Sequence, residues 1–167
     1  MQLFILDPEP EAAATMLCDV HLRKMCLETA QILSSVIVRR GGELLPQMPR
    51  AYNINHPVIT ALDTPFKINW AVRHNEGLQR EYEYRFGRRH AYWSLTAVYR
   101  EKLFTAGAVV EDWSFARNFS GVGIAEPSII GAYREYYRYK KQLLSRWHYT
   151  RREEPPWSGG ENEETRR

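Results

Sequence analysis

Apolar residues recur at helical spacing through the segment CDVHLRKMCLETAQ, Cys18 to Gln31, and continue beyond it to Val38. At about 100° per residue, Cys18, Leu22, Met25, Cys26, Thr29, Ile32, Leu33 and Val36 gather on one broad face, which predicts a core-facing side. Val20 and Leu27 lie nearly opposite, with Met16 and Val38, so the pattern predicts neighbours on both sides. Between the apolar strips, within an arc of roughly 80°, fall His21, Lys24, Glu28 and Gln31. A polar stripe on an otherwise buried helix is a candidate active-site wall. Asp19, Arg23 and Ser34 point elsewhere and are assigned to solvent.

The same signals place the other elements. Gln2 to Leu6 is a short apolar segment, too brief to class as strand or coil. Asp7 and Pro8 read as an N-cap and a first-turn proline, with Glu9 and Glu11 suited to the helix dipole. This first helix is expected to run to Val38 or Arg40, where Gly41 and Gly42 stop it. A loop follows to Tyr52. In AYNINHPVITAL, Pro57 opens a short helix to Leu62 and leaves Asn53, Asn55 and His56 on the entering loop. Thr64 and Pro65 start a second long helix to Phe86 or Arg89, with Ile68, Ala71, Leu78, Tyr82 and Phe86 as its apolar stripe. RRHAYWSLTAVYREKLF reads as a further helix, and residues 105 to 125 as loop, with a short element around Val109 to Phe115. Glu126 and Pro127 start a last helix to about His148. The expected architecture is mainly α: one domain of three long helices and irregular loops over residues 1–149, and a disordered charged tail over 150–167.

Composition narrows the class. With 167 residues, 44% hydrophobic and 26% charged, the chain is long enough for one real core and reads as globular and soluble. No apolar run has membrane-spanning length and no signal-peptide pattern is present, so a cytoplasmic location is the default. Cys18 and Cys26 lie too far apart along a helix for a disulfide and read as packed thiols. A net charge of +3 permits a polyanionic partner without requiring one. The 13% aromatic content is unusual, with many Tyr and Trp beside Arg.

Each chemical constellation has a bland reading and a functional one. Lys24 and Glu28 form an ordinary i, i+4 pair, yet a carboxylate between apolar strips can move a proton or stabilise a developing cation, and a neighbouring amine can act as nucleophile. The histidine spacings match no metal pattern, and His21 and Glu28 lie about 10 Å apart along the helix axis, so no metal is expected. Asn55 and His56 fit turn chemistry. Asn69 and Asn75 sit inside a long helix, where asparagine usually serves a hydrogen bond. The runs EYEYRFGRRHAYW and YREYYRYKK have the composition of a nucleic-acid surface, with Arg and Lys for phosphates and aromatic rings for unpaired bases. Tyr82 and Tyr133 also suit a core. No Walker loop, GxGxxG or GxSxG is present, and no cofactor is implied.

The run LCDVHLRKMCLETAQ resembles the first helix of the phage-type pyrimidine-dimer DNA glycosylases, also called endonuclease V. That family carries Asp-x-His-Leu followed by a catalytic glutamate seven residues after the histidine, matching Asp19, His21, Leu22 and Glu28. His56 at the entry to the next helix and the aromatic, basic YREYYRYKK extend the likeness in outline. The chain is also similar to uncharacterised phage and bacterial proteins with CDxHxxKMxxE and NHP patterns. The family likeness implies DNA repair on double-stranded DNA with a flipped nucleotide, attack on the sugar C1′ by the N-terminal α-amine, and a Schiff base that leads to strand cleavage. An α-amine ordinarily titrates near pH 8, so part of it is neutral and nucleophilic at physiological pH. A damaged or modified base is also easier to extrude than a sound one.

This chain departs from the family at informative places. Gln2 is bulky and is expected to leave Met1 in place, and Leu27 and Gln31 stand where the family has arginines. The nucleophile is therefore open between the Met1 amine, Lys24 and water. The expected activity is a monomeric DNA N-glycosylase, with or without AP-lyase action, on a damaged or modified base. Glu28 is its acid/base or cation stabiliser, with Lys24, His21 and Met1 beside it. Gln31, Asn55, His56, Asn69, Tyr82, Arg85, Arg88 and Arg89 are the candidate substrate contacts. The rival readings are a noncatalytic nucleic-acid-binding module and an enzyme acting on a modified nucleotide or nucleobase.

Overall fold

Proline and glycine set several of the helix ends, and side chains from distant parts of the chain set others. In the computed structural model, which describes residues 1–159, six α-helices are joined by irregular segments. They are α1 (Pro10–Thr15), α2 (Asp19–Arg39), α3 (Pro57–Thr60), α4 (Pro65–Phe86), α5 (Thr96–Leu103) and α6 (Ile129–Leu143). Short 3₁₀ turns lie at Trp93–Leu95 and Pro156–Ser158. No strand occurs among the described residues. The described residues form a mainly α single domain with six helices, where the sequence predicts three long ones and two further helical segments.

The expected first helix is in fact two. The Met16 N–H turns back to the Ala13 carbonyl at 3.2 Å, which closes α1. Cys18 is extended, with φ −66 and ψ 160, and starts α2. Such a break strands backbone groups that must be satisfied from outside. Arg85 donates to the carbonyls of Thr15 at 2.8 Å and Leu17 at 2.7 Å, and the Tyr149 hydroxyl donates to that of Met16 at 3.1 Å. The Cys18 N–H donates to the Tyr137 hydroxyl at 2.9 Å. Four side-chain contacts from α4, α6 and the C-terminal segment thus hold a kink that helical periodicity alone does not reveal.

Helix α4 is enclosed on several sides. Thr64 is its N-cap residue and Pro65 opens it, as the sequence predicts, and Gly87 ends it in the left-handed region at φ 66. Helix α1 packs against it at Gly77, where an added Cβ would lie 3.0 Å from Glu11 Cα and 3.2 Å from Ala14 Cβ. Helix α2 runs antiparallel to α4. Asp19 meets Arg85 at 3.0 Å, and the Cys26 thiol donates to the Leu78 carbonyl at 3.6 Å. One face of α2, from Leu22 and Met25 to Val36, is core as expected. The opposite strip is not covered: Val20 and Leu27 are 42% and 38% exposed, which corrects the expectation of neighbours on both sides.

Later elements differ in their bounds. Residues 105 to 125 contain no regular element, so none forms from Val109 to Phe115. This loop is instead pinned by side chains: Asn69 pairs with both backbone groups of Thr105 at 2.8 Å, and Lys67 is ion-paired with Asp112 at 3.1 Å. Helix α6 begins two residues later than expected, where the Ser128 hydroxyl accepts the Gly131 N–H at 3.0 Å, and it ends at Leu143 rather than near His148.

The disordered tail expected from Thr150 is corrected for residues 150–159. Thr150 donates from both its N–H and its hydroxyl to Asp19, the Arg152 guanidinium forks onto Glu81 with two bonds of 2.9 Å, and Ser158 is buried. Residues 160–167 lie outside the described part. No described helix is long and apolar enough to cross a membrane.

Candidate active site on the polar stripe of α2

The polar stripe of α2 survives as a continuous feature, and three other parts of the chain bound it. At its N-terminal end His21 is buried and ringed by Phe4 at 5.1 Å, Tyr137 at 5.2 Å and Trp147 at 5.8 Å between centroids. The Tyr137 hydroxyl accepts the Cys18 N–H and has one proton to give, so it donates that proton to His21 Nδ1 at 2.9 Å. The network assigns the imidazole proton to Nε2. Burial first, then the positive charges of Lys140 and Lys24, push the His21 imidazole down to about 4 and keep it neutral. His21 therefore anchors the N-terminal segment: Phe4, at φ 52, stacks on it, and residues Gln2 to Leu6 are buried alongside.

At the far end of the stripe the loop before α3 folds down onto α2. The Ser35 hydroxyl accepts the Tyr52 N–H at 2.9 Å and lies 3.1 Å from its carbonyl. Arg39 donates to the Ile54 carbonyl and to Asn55 Oδ1, both at 3.2 Å. His56 caps α3, its Nδ1 accepting the Val58 N–H at 3.2 Å. Asn55 and His56 thus have structural duties in addition to any contact with substrate.

Between these two ends lie Lys24, Glu28 and Gln31. The Glu28 carboxylate is 16% exposed and ion-paired with Lys24 at 3.2 Å, while Lys24 itself is 61% exposed. The Gln31 side-chain amide makes no hydrogen bond among the described residues and is half-buried beside them. Charges converge here. Burial and then the positive charge of the Met1 amine hold the His56 imidazole below its ordinary range, while the Glu28 carboxylate pulls it upward. The His56 imidazole therefore feels both the α-amine of the first residue and the carboxylate of Glu28. The Met1 end is held by loop and helix side chains. Asn118 donates to the Met1 carbonyl at 3.5 Å, the Gln2 amide donates to the Asn118 carbonyl, and Tyr133 reaches Gln2 Oε1 at 3.3 Å.

Several candidate contacts lie elsewhere. Arg85 is fully buried and spends its guanidinium on Asp19, Glu81 and the carbonyls at the α1–α2 break, which corrects its assignment as a phosphate ligand. Asn69 is committed to the Thr105 clamp, and Tyr82 is buried against Phe86 and His90, so neither faces the stripe as an open contact. Asn75 is buried, and neither side-chain atom finds a hydrogen-bond partner among the described residues. Arg88 and Arg89 are exposed beyond Gly87, with Arg89 bonded to Glu83 and lying over the Trp93 ring at 4.8 Å. Arg23, given to solvent at first, stacks over Phe86 at 4.3 Å and extends this basic edge toward Lys24.

The tyrosines of the basic and aromatic run of α6 go mainly to the core. Tyr133, Tyr136 and Tyr137 are buried, whereas Arg138 and Tyr139 reach the surface. Tyr137 and Phe4 are the residues that sequence reasoning missed at the site. Their signal was present only as one tyrosine among many and as part of an unclassified apolar segment. Among the described residues no three His, Cys, Asp or Glu side chains converge as a metal site. A cleft of about 720 Å³ opens between the Trp113–Arg117 loop and the start of α6, away from Glu28, and carries no comparable grouping of acid and amine. No protein-family model, no curated protein and no solved structure matches the chain.

Proposed function

We propose that the protein is a DNA N-glycosylase acting on a damaged or modified base, with Glu28 as the residue that assists at the sugar C1′. The observation that supports this reading best is the largely buried Glu28 carboxylate ion-paired with Lys24 at 3.2 Å on α2, with the His56 imidazole feeling both that carboxylate and the Met1 amine. A half-buried carboxylate beside an amine suits a reaction that builds positive charge on a sugar and then resolves it with a nucleophile.

Two routes fit these groups. In the first, the electron pair of the neutral α-amine forms a bond to C1′ as the bond from C1′ to the base nitrogen breaks, and the base leaves with a proton. Ring opening, with a second proton moved by Glu28, gives a Schiff base from which the 3′ phosphate can be eliminated. In the second, Glu28 takes a proton from water as the water oxygen bonds to C1′ and the bond from C1′ to the base nitrogen breaks, and the base leaves with a proton and without a covalent adduct. Lys24, as the ion-pair partner of Glu28, balances the carboxylate in either route instead of attacking. Exposed Arg23, Arg88 and Arg89 provide charge for the phosphate backbone.

Borohydride reduction distinguishes the routes. With abasic-site DNA, the amine route gives a covalent protein–DNA adduct, which carbamylation of the α-amine abolishes. Base release without an adduct, lost in Glu28→Gln, supports water. An adduct that persists after α-amine blocking and disappears in Lys24→Ala would overturn the role given to Lys24.

A further inference from the structure

We propose that Tyr52 is a base-stacking residue at the mouth of the Glu28 site, where its ring takes the face of an unpaired nucleobase in lesion-containing DNA. The inference rests on the DNA reading above and adds to it a contact outside the catalytic stripe.

Tyr52 is 56% exposed, the most exposed aromatic ring among the described residues. The other two exposed tyrosines are engaged. Tyr84 lies beneath the Arg152 guanidinium at 4.4 Å and donates its hydroxyl to the Arg151 carbonyl, and Tyr139 stacks with Tyr136 at 6.3 Å. Tyr52 has no ring partner, cation partner or hydroxyl hydrogen bond among the described residues. A large ring with no protein partner is ordinarily a mobile one, but the backbone beneath it is fixed. Its N–H and carbonyl both meet the Ser35 hydroxyl, the next residue, Asn53, turns the chain at φ 26, and Arg39 holds the loop at Ile54 and Asn55. Ordering this loop therefore adds little to the cost of binding.

Its position relative to the acid follows from helix geometry. Ser35 lies seven residues after Glu28 on α2, about 20° around the helix and about 10 Å along it. The loop pinned to Ser35 thus stands over the same face as Glu28, with the half-buried Gln31 between them. With its Ser35 anchor about 10 Å along α2 from Glu28, a ring carried on this loop suits the unpaired base across the duplex from the lesion, where an aromatic face accepts any base.

The test is a fluorescence-anisotropy titration of the full chain on a duplex with a tetrahydrofuran abasic analogue opposite 2-aminopurine, compared with the matched duplex. Tyr52→Ala is expected to weaken binding to the abasic duplex by about 5- to 140-fold, the range spanned by loss of one stacked base. Tyr52→Phe should bind as the wild type does, and the salt dependence should be unchanged because no phosphate contact is removed. Thermal midpoints should match, since the Ser35 bonds use only the backbone of residue 52. If the wild type prefers the abasic duplex and Tyr52→Ala binds equally well, the stacking role alone is overturned. An equal loss in Tyr52→Phe would assign the effect to the hydroxyl and also overturn stacking. A wild type with no preference for the abasic duplex would overturn both this proposal and the DNA reading beneath it.

Discussion

His21 and His74 are imidazoles that folding takes out of water. Both are buried and both imidazoles are pushed down to about 4, chiefly by loss of water. Their ordinary value is near 6.5, so between these limits the unfolded chain binds more protons than the folded one. Stability should therefore be unaffected by these groups above pH 6.5 and should fall as the pH drops toward 4, by on the order of 3 kcal/mol for each. Asp19 and Glu154, whose carboxyls are also held low, act in a lower range. Urea midpoints measured from pH 7 to pH 5 should decline, and a flat profile would contradict the burial of both rings. The position of Glu28 was legible in the sequence because helical spacing alone puts it in line with His21, Lys24 and Gln31. The duty of Arg85 was not. An arginine in an aromatic, basic run looks like a phosphate ligand until the helix break it satisfies is known.

Elements were legible where local chemistry decides them. Thr64, Pro65 and Gly87 bound α4 by their own backbone preferences, and Pro57 opens α3 in the same way. The division of α1 from α2 is a tertiary effect: without Arg85, Tyr137 and Tyr149 nothing in the run from Glu9 to Val38 demands a break. The same holds for the C-terminal segment, whose charge and proline content suggested disorder while Asp19 and Glu81 supplied its anchors. The close approach of α1 to α4 depends on one glycine. Gly77→Val should destabilise the fold by about 1–3 kcal/mol, because the new side chain would enter the space of Glu11 and Ala14. Chemical denaturation reads this directly, and an unchanged midpoint would show that α1 can yield without cost.

At the scale of the molecule, the polar stripe of α2 becomes a site because separate segments close its two ends. Phe4, Tyr137 and Trp147 enclose His21, and the Tyr52–His56 loop stands on Ser35 and Arg39, where the His56 imidazole feels the charge of the Met1 amine. What remains open between them is Lys24, Glu28 and Gln31. The uncovered strip of Val20 and Leu27 flanks that opening, with Arg23 beside it. Base release from a panel of duplex oligonucleotides carrying varied lesions and modified bases, compared between the wild type and Glu28→Gln, tests the central claim most directly. The wild type should release at least one base, and Glu28→Gln should be slower by at least about 100-fold while it keeps its affinity for the DNA. Release from no substrate, or release undiminished in Glu28→Gln, would contradict it.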